Sequence, residues 1–107
     1  MHVPAGNGLC MDIAFLDKSL ALIETDRAAD TKLPISVINS FRDKLVVLRA
    51  ATDERTLRNW KSLHYEKLKG KNDERSIRLN KQWRAVFLIE TGCKPNKLTM
   101  LRVEDYH

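Results

Sequence analysis

The chain has 107 residues, 43% of them hydrophobic and 31% charged, which is enough for one domain with one modest core. Its longest apolar run is too short to span a bilayer, and residues 1–10 lack the basic start and apolar stretch of a signal peptide, so the expectation is a cytoplasmic protein without a membrane segment. The net charge of +5 is unevenly placed: residues 1–52 carry six Lys/Arg and six Asp/Glu, whereas residues 53–107 carry thirteen and eight. A basic half points to phosphate or an acidic protein as partner, and a lysine-rich solvated surface fits the charge equally well.

Residues 1–10 carry no packing pattern and are expected to be a flexible N-terminal extension, with a single domain over residues 11–107. Cys10 and Cys93 make no Cys-x-x-Cys spacing, so free thiols and no metal or cofactor are expected. Asp12 to Leu16 is a short apolar run that fits an edge strand. Asp17 is a fair N-cap for a helix whose apolar face is Leu20, Ile23 and Ala28. Pro34 suits the first turn of a second helix. There Ile38, Phe41, Leu45 and Leu48 recur at three- and four-residue steps, and Val37, Val46 and Val47 widen the stripe. That helix runs to about Ala51 and needs no role beyond covering a core. Thr52 or Asp53 caps one more short turn through Leu57, and Trp60 reads as a core or boundary aromatic.

From Tyr65 the period changes to two. Tyr65 to Leu68 reads as a strand with Glu66 on one face and Tyr65, Lys67 and Lys69 on the other. Gly70 to Glu74 is a loop. Ile77, Leu79, Trp83, Ala85, Phe87 and Ile89 must then share a buried face. A two-residue turn at Asn80-Lys81 would pair Ile77 with Arg84 and put a cation in the core. A three-residue loop, Asn80-Lys81-Gln82, pairs Leu79 with Trp83 and Ile77 with Ala85 instead, so the buried face selects it. That register groups Ser76, Arg78 and Arg84 on the opposite face. Arg78 and Arg84 become cross-strand neighbours, a like-charge pairing that costs stability and that a bound phosphate would relieve. Thr91 to Asn96 is a turn and Leu98 to Val103 a last strand. The predicted fold class is α+β in two layers: an N-terminal strand and two antiparallel helices packed on a mainly antiparallel sheet of three to four strands.

Cutting RNA needs a base for the 2′-hydroxyl proton, an acid for the leaving oxygen, and cations for the charge on phosphorus. The basic half offers Lys67, Lys69, Arg78 and Arg84 for charge, with Lys71, Arg75 and Lys81 as further phosphate contacts. His107, His64 and Glu66 are available for proton transfer, and Tyr106 for stacking or hydrogen bonding. Each of these alone is ordinary surface; their grouping on one sheet face is what carries meaning.

Leu68-Lys69-Gly70, the run Ser76-Ile77-Arg78-Leu79-Asn80-Lys81-Gln82-Trp83-Arg84, and the terminal Asp105-Tyr106-His107 together resemble the HigB branch of the RelE/ParE toxin superfamily. The resemblance covers roughly Met11 to His107 and implies a RelE-like two-layer fold. It also implies a type II toxin, neutralised by a helix-turn-helix, HigA-like antitoxin, that enters the ribosomal A site and cleaves mRNA there. Operator DNA would be reached only through the antitoxin. The family's catalytic lysine falls on Lys69 and its arginine on Arg84. Its terminal acid, aromatic and imidazole fall on Asp105, Tyr106 and His107. In two places the sequence departs from its relatives: Glu66 stands where some have His, with His64 two residues earlier, and the Gly70–Glu74 loop lacks a second glycine. Two other readings share the sequence: a ParE-like poison of DNA gyrase acting without these catalytic residues, and an inactive basic module that binds RNA or ribosomes.

Overall fold

A computed structural model describes residues 11–51, 53–70, 73–90 and 96–105. Strands β1 (Asp12–Phe15), β2 (Glu66–Lys67), β3 (Arg75–Arg78), β4 (Trp83–Glu90) and β5 (Lys97–Asp105) form one sheet in the order β1-β5-β4-β3-β2. All neighbours are antiparallel except β1, which runs parallel to β5 along one edge. The α+β class holds. The sheet has five strands because the N-terminal segment joins it instead of lying apart. Met11 locks that edge, since it is buried and its N–H donates to Ala51 O at 3.0 Å. Cys10, Cys93 and the predicted turn through residues 91–95 lie outside the described residues.

Helix α1 (Ile35–Ala50) follows the predicted stripe: Val37, Ile38, Phe41, Leu45 and Leu48 are all buried. Pro34 sits one residue earlier than a first-turn position, as the cap, and its carbonyl accepts from Val37 and Ile38 N–H at 3.0 Å each. Val46 was expected to widen the stripe but points outward; Val47 packs at its margin. The first helix is where the sequence reading needs correction. Residues 18–24 and 28–31 wind as two short 3₁₀ segments rather than one α-helix. The cap is as predicted, with Ser19 N–H donating to Asp17 Oδ1 at 3.0 Å, and Leu20, Ile23 and Ala28 are buried. Leu20 and Ile23 are three residues apart, which matches a 3₁₀ turn as well as an α-turn, so spacing alone could not separate them. Arg42 of α1 then anchors the segment by donating to the carbonyls of Ile23 and Thr25 at 2.5 and 2.7 Å.

Helix α2 (Glu54–Asn59) is short and is capped by Asp53, which accepts from Thr56 N–H at 3.0 Å. The helical layer covers one face of the sheet. Between them lie Phe41, Leu45, Leu57, Leu63, Ile77, Ala85, Phe87, Leu98 and Met100, all fully buried. Each large side chain there stabilises the fold by about 1.5–3 kcal/mol relative to exposure. Trp60 is not a core residue: it is 45% exposed at the boundary after α2.

The hairpin register follows the buried face, as predicted. Ile77 pairs with Ala85 and Arg78 with Arg84, while Leu79 N–H donates to Trp83 O at 2.9 Å across the loop. Asn80 Oδ1 fastens that loop by accepting from the N–H groups of Gln82 and Trp83. Strand β5 contains a bulge. Val86 pairs with Arg102 but Phe87 pairs with Met100, leaving Leu101 as an additional residue. The bulge keeps Met100 and Val103 both toward the core although they are three apart, and it sends Arg102 and Glu104 to the other face.

Candidate active site

The face of the sheet away from the helices is built by alternation. In β2, β3, β4 and β5 the rows Glu66–Ser76–Val86–Arg102 and Arg78–Arg84–Glu104 lie side by side. His64 reaches the same place by a different route. It caps the 3₁₀ turn Lys61–Leu63 in the left-handed conformation, φ 49° and ψ 48°, directly before β2. A residue other than glycine is uncommon there, and such positions gather at functional sites. His64, Glu66, Ser76, Arg78 and Arg84 together line a notch of about 20 Å³. A wider hollow of about 530 Å³, lined by Thr56, Asn59, Trp60, Lys61 and Ser62, carries a single ionisable group, Lys61, and no acid–base pair.

Glu104 organises the far side of the notch. Its Oε2 accepts from Arg84 at 2.5 Å (Nη2) and 2.8 Å (Nε), and its Oε1 accepts from Arg102 Nε at 2.6 Å. Arg102 in turn donates to Glu74 Oε1 at 2.8 Å. Burial opposes ionisation of Glu104, but the hydrogen bonds from Arg102 and Arg84 outweigh it and hold the carboxyl below its ordinary range. This chain of charges fixes Arg84, and the arginine stems flank the fully buried Val86. Arg78, by contrast, is exposed and makes no ion pair or hydrogen bond through its side chain among the described residues.

The predicted site residues separate into groups. His64, Glu66, Arg78 and Arg84 are brought together. Lys69 is exposed in the turn following β2, and Lys81 is exposed in the β3–β4 loop. Lys67 and Arg75 pair with each other on the opposite side of the pleat from Glu66. Lys67 reaches Asp73 at 3.6 Å. Arg75 binds Glu54 of α2 at 2.6 Å, with side-chain exposures of only 13% and 23%. Tyr65 completes that cluster by donating its hydroxyl to Glu54 and tilting its ring against Phe87. Burial first, and the Glu54 carboxylate second, push the Tyr65 phenol above its usual range. Arg75 therefore holds α2 to the sheet instead of facing the notch. Asp105 pairs with Trp83, one step beyond the Arg84–Glu104 pair and so across the pleat from it, and it accepts from Gln82 Nε2 at 2.6 Å. Lys71, Tyr106 and His107 lie outside the described residues.

Sequence reading missed the roles of Glu74, Arg102 and Glu104. Arg102 and Glu104 do alternate as Arg78 and Arg84 do, but their face depends on the bulge at Leu101, which periodicity did not reveal. Among the described residues no three His, Cys, Asp or Glu side chains gather where they could hold a metal ion, and no helix is long and apolar enough to cross a membrane.

A family model described as a RelE-like toxin of type II toxin–antitoxin system HigB matches residues 13–103. Among solved structures, a YoeB/ParE toxin from Agrobacterium tumefaciens has the same fold, with a TM-score of 0.54 and 15% identity, over 91% of this chain and 100% of that one. No curated protein sequence matches the chain.

Proposed function

Because the chain belongs to the HigB-like family of RelE-like toxins, it is a type II toxin with a cognate antitoxin as partner, and we propose that it acts as a ribosome-dependent mRNA endoribonuclease. The observation that carries this reading is the convergence of His64, Glu66, Arg78 and Arg84 on one notch, cations on one side and proton-transfer groups on the other.

In the proposed reaction the ribose 2′-oxygen attacks the adjacent phosphorus, and the bond from phosphorus to the 5′-oxygen of the next nucleotide breaks. The products are a 2′,3′-cyclic phosphate and a free 5′-hydroxyl. Glu66 takes the 2′-hydroxyl proton, and His64 or His107 delivers one to the leaving oxygen. Arg84, oriented by Glu104, and Arg78 meet the charge that builds on the phosphate oxygens; Lys69 adds to that field from the neighbouring turn. Tyr106 stacks on or orients a base, and Asp105 positions the terminal imidazole. Lys71 and Lys81 contact phosphates of the flanking strand. The ribosome supplies substrate orientation, which is worth many powers of ten when it brings the reacting atoms in line.

In this reading the partners are an HigA-like helix-turn-helix antitoxin and the cytoplasmic ribosome with mRNA in its A site. Residues 11–107 act as one toxin domain after an N-terminal extension. The test is expression of the wild type beside an Arg84→Ala, His107→Ala double variant, with primer extension on ribosome-bound mRNA. Cleavage and growth arrest by the wild type alone is the expected result. Equal arrest by both proteins defeats the catalytic assignment. Intact mRNA with induced DNA breaks identifies a gyrase poison instead.

A further inference from the structure

Ser76 is the least expected member of the notch. It is 2% exposed and is the one buried polar side chain among the described residues. Its backbone is engaged on both sides, by Glu66 in β2 and Val86 in β4. Its hydroxyl, however, makes no hydrogen bond with any described residue. A buried hydroxyl without a partner costs stability, and native proteins keep few of them, mostly where a ligand, ion or water completes the set. Alanine would serve the strand backbone equally without that cost, so the hydroxyl itself calls for a partner.

The surroundings say what completes it. The notch, at about 20 Å³, admits one oxygen-sized group and no ring. Arg78 faces Arg84 directly across β3 and β4; Glu104 pairs with Arg84, whereas Arg78 has no such carboxylate among the described residues, and an anion at the notch would supply its counter-charge. Glu66, opposite Ser76 on β2, excludes a second anion from the near side and leaves the entering oxygen on the arginine side. A tetrahedral phosphate suits this arrangement: one non-bridging oxygen enters the notch and the others stay within reach of the guanidinium groups.

We infer that the Ser76 hydroxyl is a phosphate-binding donor, taking one non-bridging oxygen of the phosphate that Arg78 and Arg84 neutralise. It rests on the nuclease reading for the identity of the RNA phosphate, but not for the presence of an anion site. Ser76 supplies the geometry that the exposed Arg78 guanidinium lacks: a short, fixed donor on a strand holds the phosphorus at a set distance from Glu66, where the 2′-oxygen must approach.

The test uses the full chain, titrated with inorganic phosphate at constant ionic strength and followed by backbone amide shifts. Ser76→Ala is expected to weaken phosphate binding by roughly tenfold, the size of one hydrogen bond to a charged group. Ser76→Thr, which keeps the hydroxyl, is expected to stay within about threefold of the wild type. Thermal unfolding separates this role from a structural one. Removing an unpartnered buried hydroxyl should leave the midpoint unchanged or raise it. A lowered midpoint for Ser76→Ala, or phosphate affinity equal to the wild type, overturns the assignment. Ribosomal mRNA cleavage run in parallel keeps the two readings apart. Serine-dependent phosphate binding without cleavage supports the anion site and defeats the nuclease reading. Wild-type cleavage by Ser76→Ala with unaltered phosphate binding does the reverse.

Discussion

Glu104→Gln keeps the side chain's size and removes its charge. In the folded protein the carboxylate receives Arg84 at 2.5 and 2.8 Å and Arg102 at 2.6 Å. An exposed ion pair contributes about 0–1 kcal/mol, and breaking a fully buried one costs about 3–5 kcal/mol. Arg84 and Glu104 are 22% and 26% exposed, between those limits. After discounting for solvent screening, the expected loss is about 2 kcal/mol. In a domain of this size that lowers the melting midpoint by roughly 8–16 °C. If the proposed phosphate site is right, the same change removes the carboxylate that would compete with a phosphate for Arg84. Inorganic phosphate should therefore bind several-fold more tightly while the protein becomes less stable, a trade expected of a charged site held ready for an anion. Scanning calorimetry and phosphate titration at constant ionic strength measure both halves. The pH dependence adds a check on sign. The folded carboxyl titrates below its unfolded value of about 4.3, so its contribution is complete above that pH and is lost as pH falls through the folded value. The stability gap between wild type and Glu104→Gln should accordingly close in acid. A stability loss with unchanged or weaker phosphate binding would refute the reasoning, because it would make Glu104 a purely structural partner.

Other substitutions probe separate parts of the molecule. His64→Gly should stabilise the fold by about 0.5–1 kcal/mol, since glycine relieves the left-handed backbone at φ 49° and gives back part of that gain in chain entropy. With His64 as the proton donor it should also cut mRNA cleavage by at least about tenfold, and unchanged cleavage would assign that role to His107. Lys32→Gly, at φ 63° and far from the notch in sequence, should share the stability gain without the loss of cleavage. Glu54→Gln should cost about 2 kcal/mol in urea unfolding, because it breaks the half-buried link to Arg75 and Tyr65, yet cleavage per folded molecule should not change. Reduced cleavage by that variant would return Arg75 to the substrate face. Burial opposes the charge on Glu54, but the bonds from Tyr65 and Arg75 hold its carboxyl below the usual range, so this contribution too is present above its unfolded value and is lost in acid.

Residue pattern alone determined a good deal. The period-two run from Ile77 to Ile89 dictated the hairpin register, because any slip would have buried Arg84. The three-and-four spacing of Ile38, Phe41, Leu45 and Leu48 dictated the face of α1. The same alternation set Arg78 against Arg84, and Glu66 apart from Lys67.

Other features required tertiary structure, each for a physical reason. Arg42 reaches from α1 to the carbonyls of Ile23 and Thr25 at the end of the 3₁₀ segment of residues 18–24, a contact that no local spacing encodes. Arg75 reads as one cation among many until α2 brings Glu54 over it. The alternation of β5 past the Leu101 bulge puts Asp105 beside Trp83 and gives its neighbour Glu104 the place against Arg84. Charge and alternation along the strands thus placed Arg78 and Arg84 on one face of the sheet. Which carboxylates meet them was decided between strands, because pairing across a sheet depends on a bulge and on partners distant in sequence.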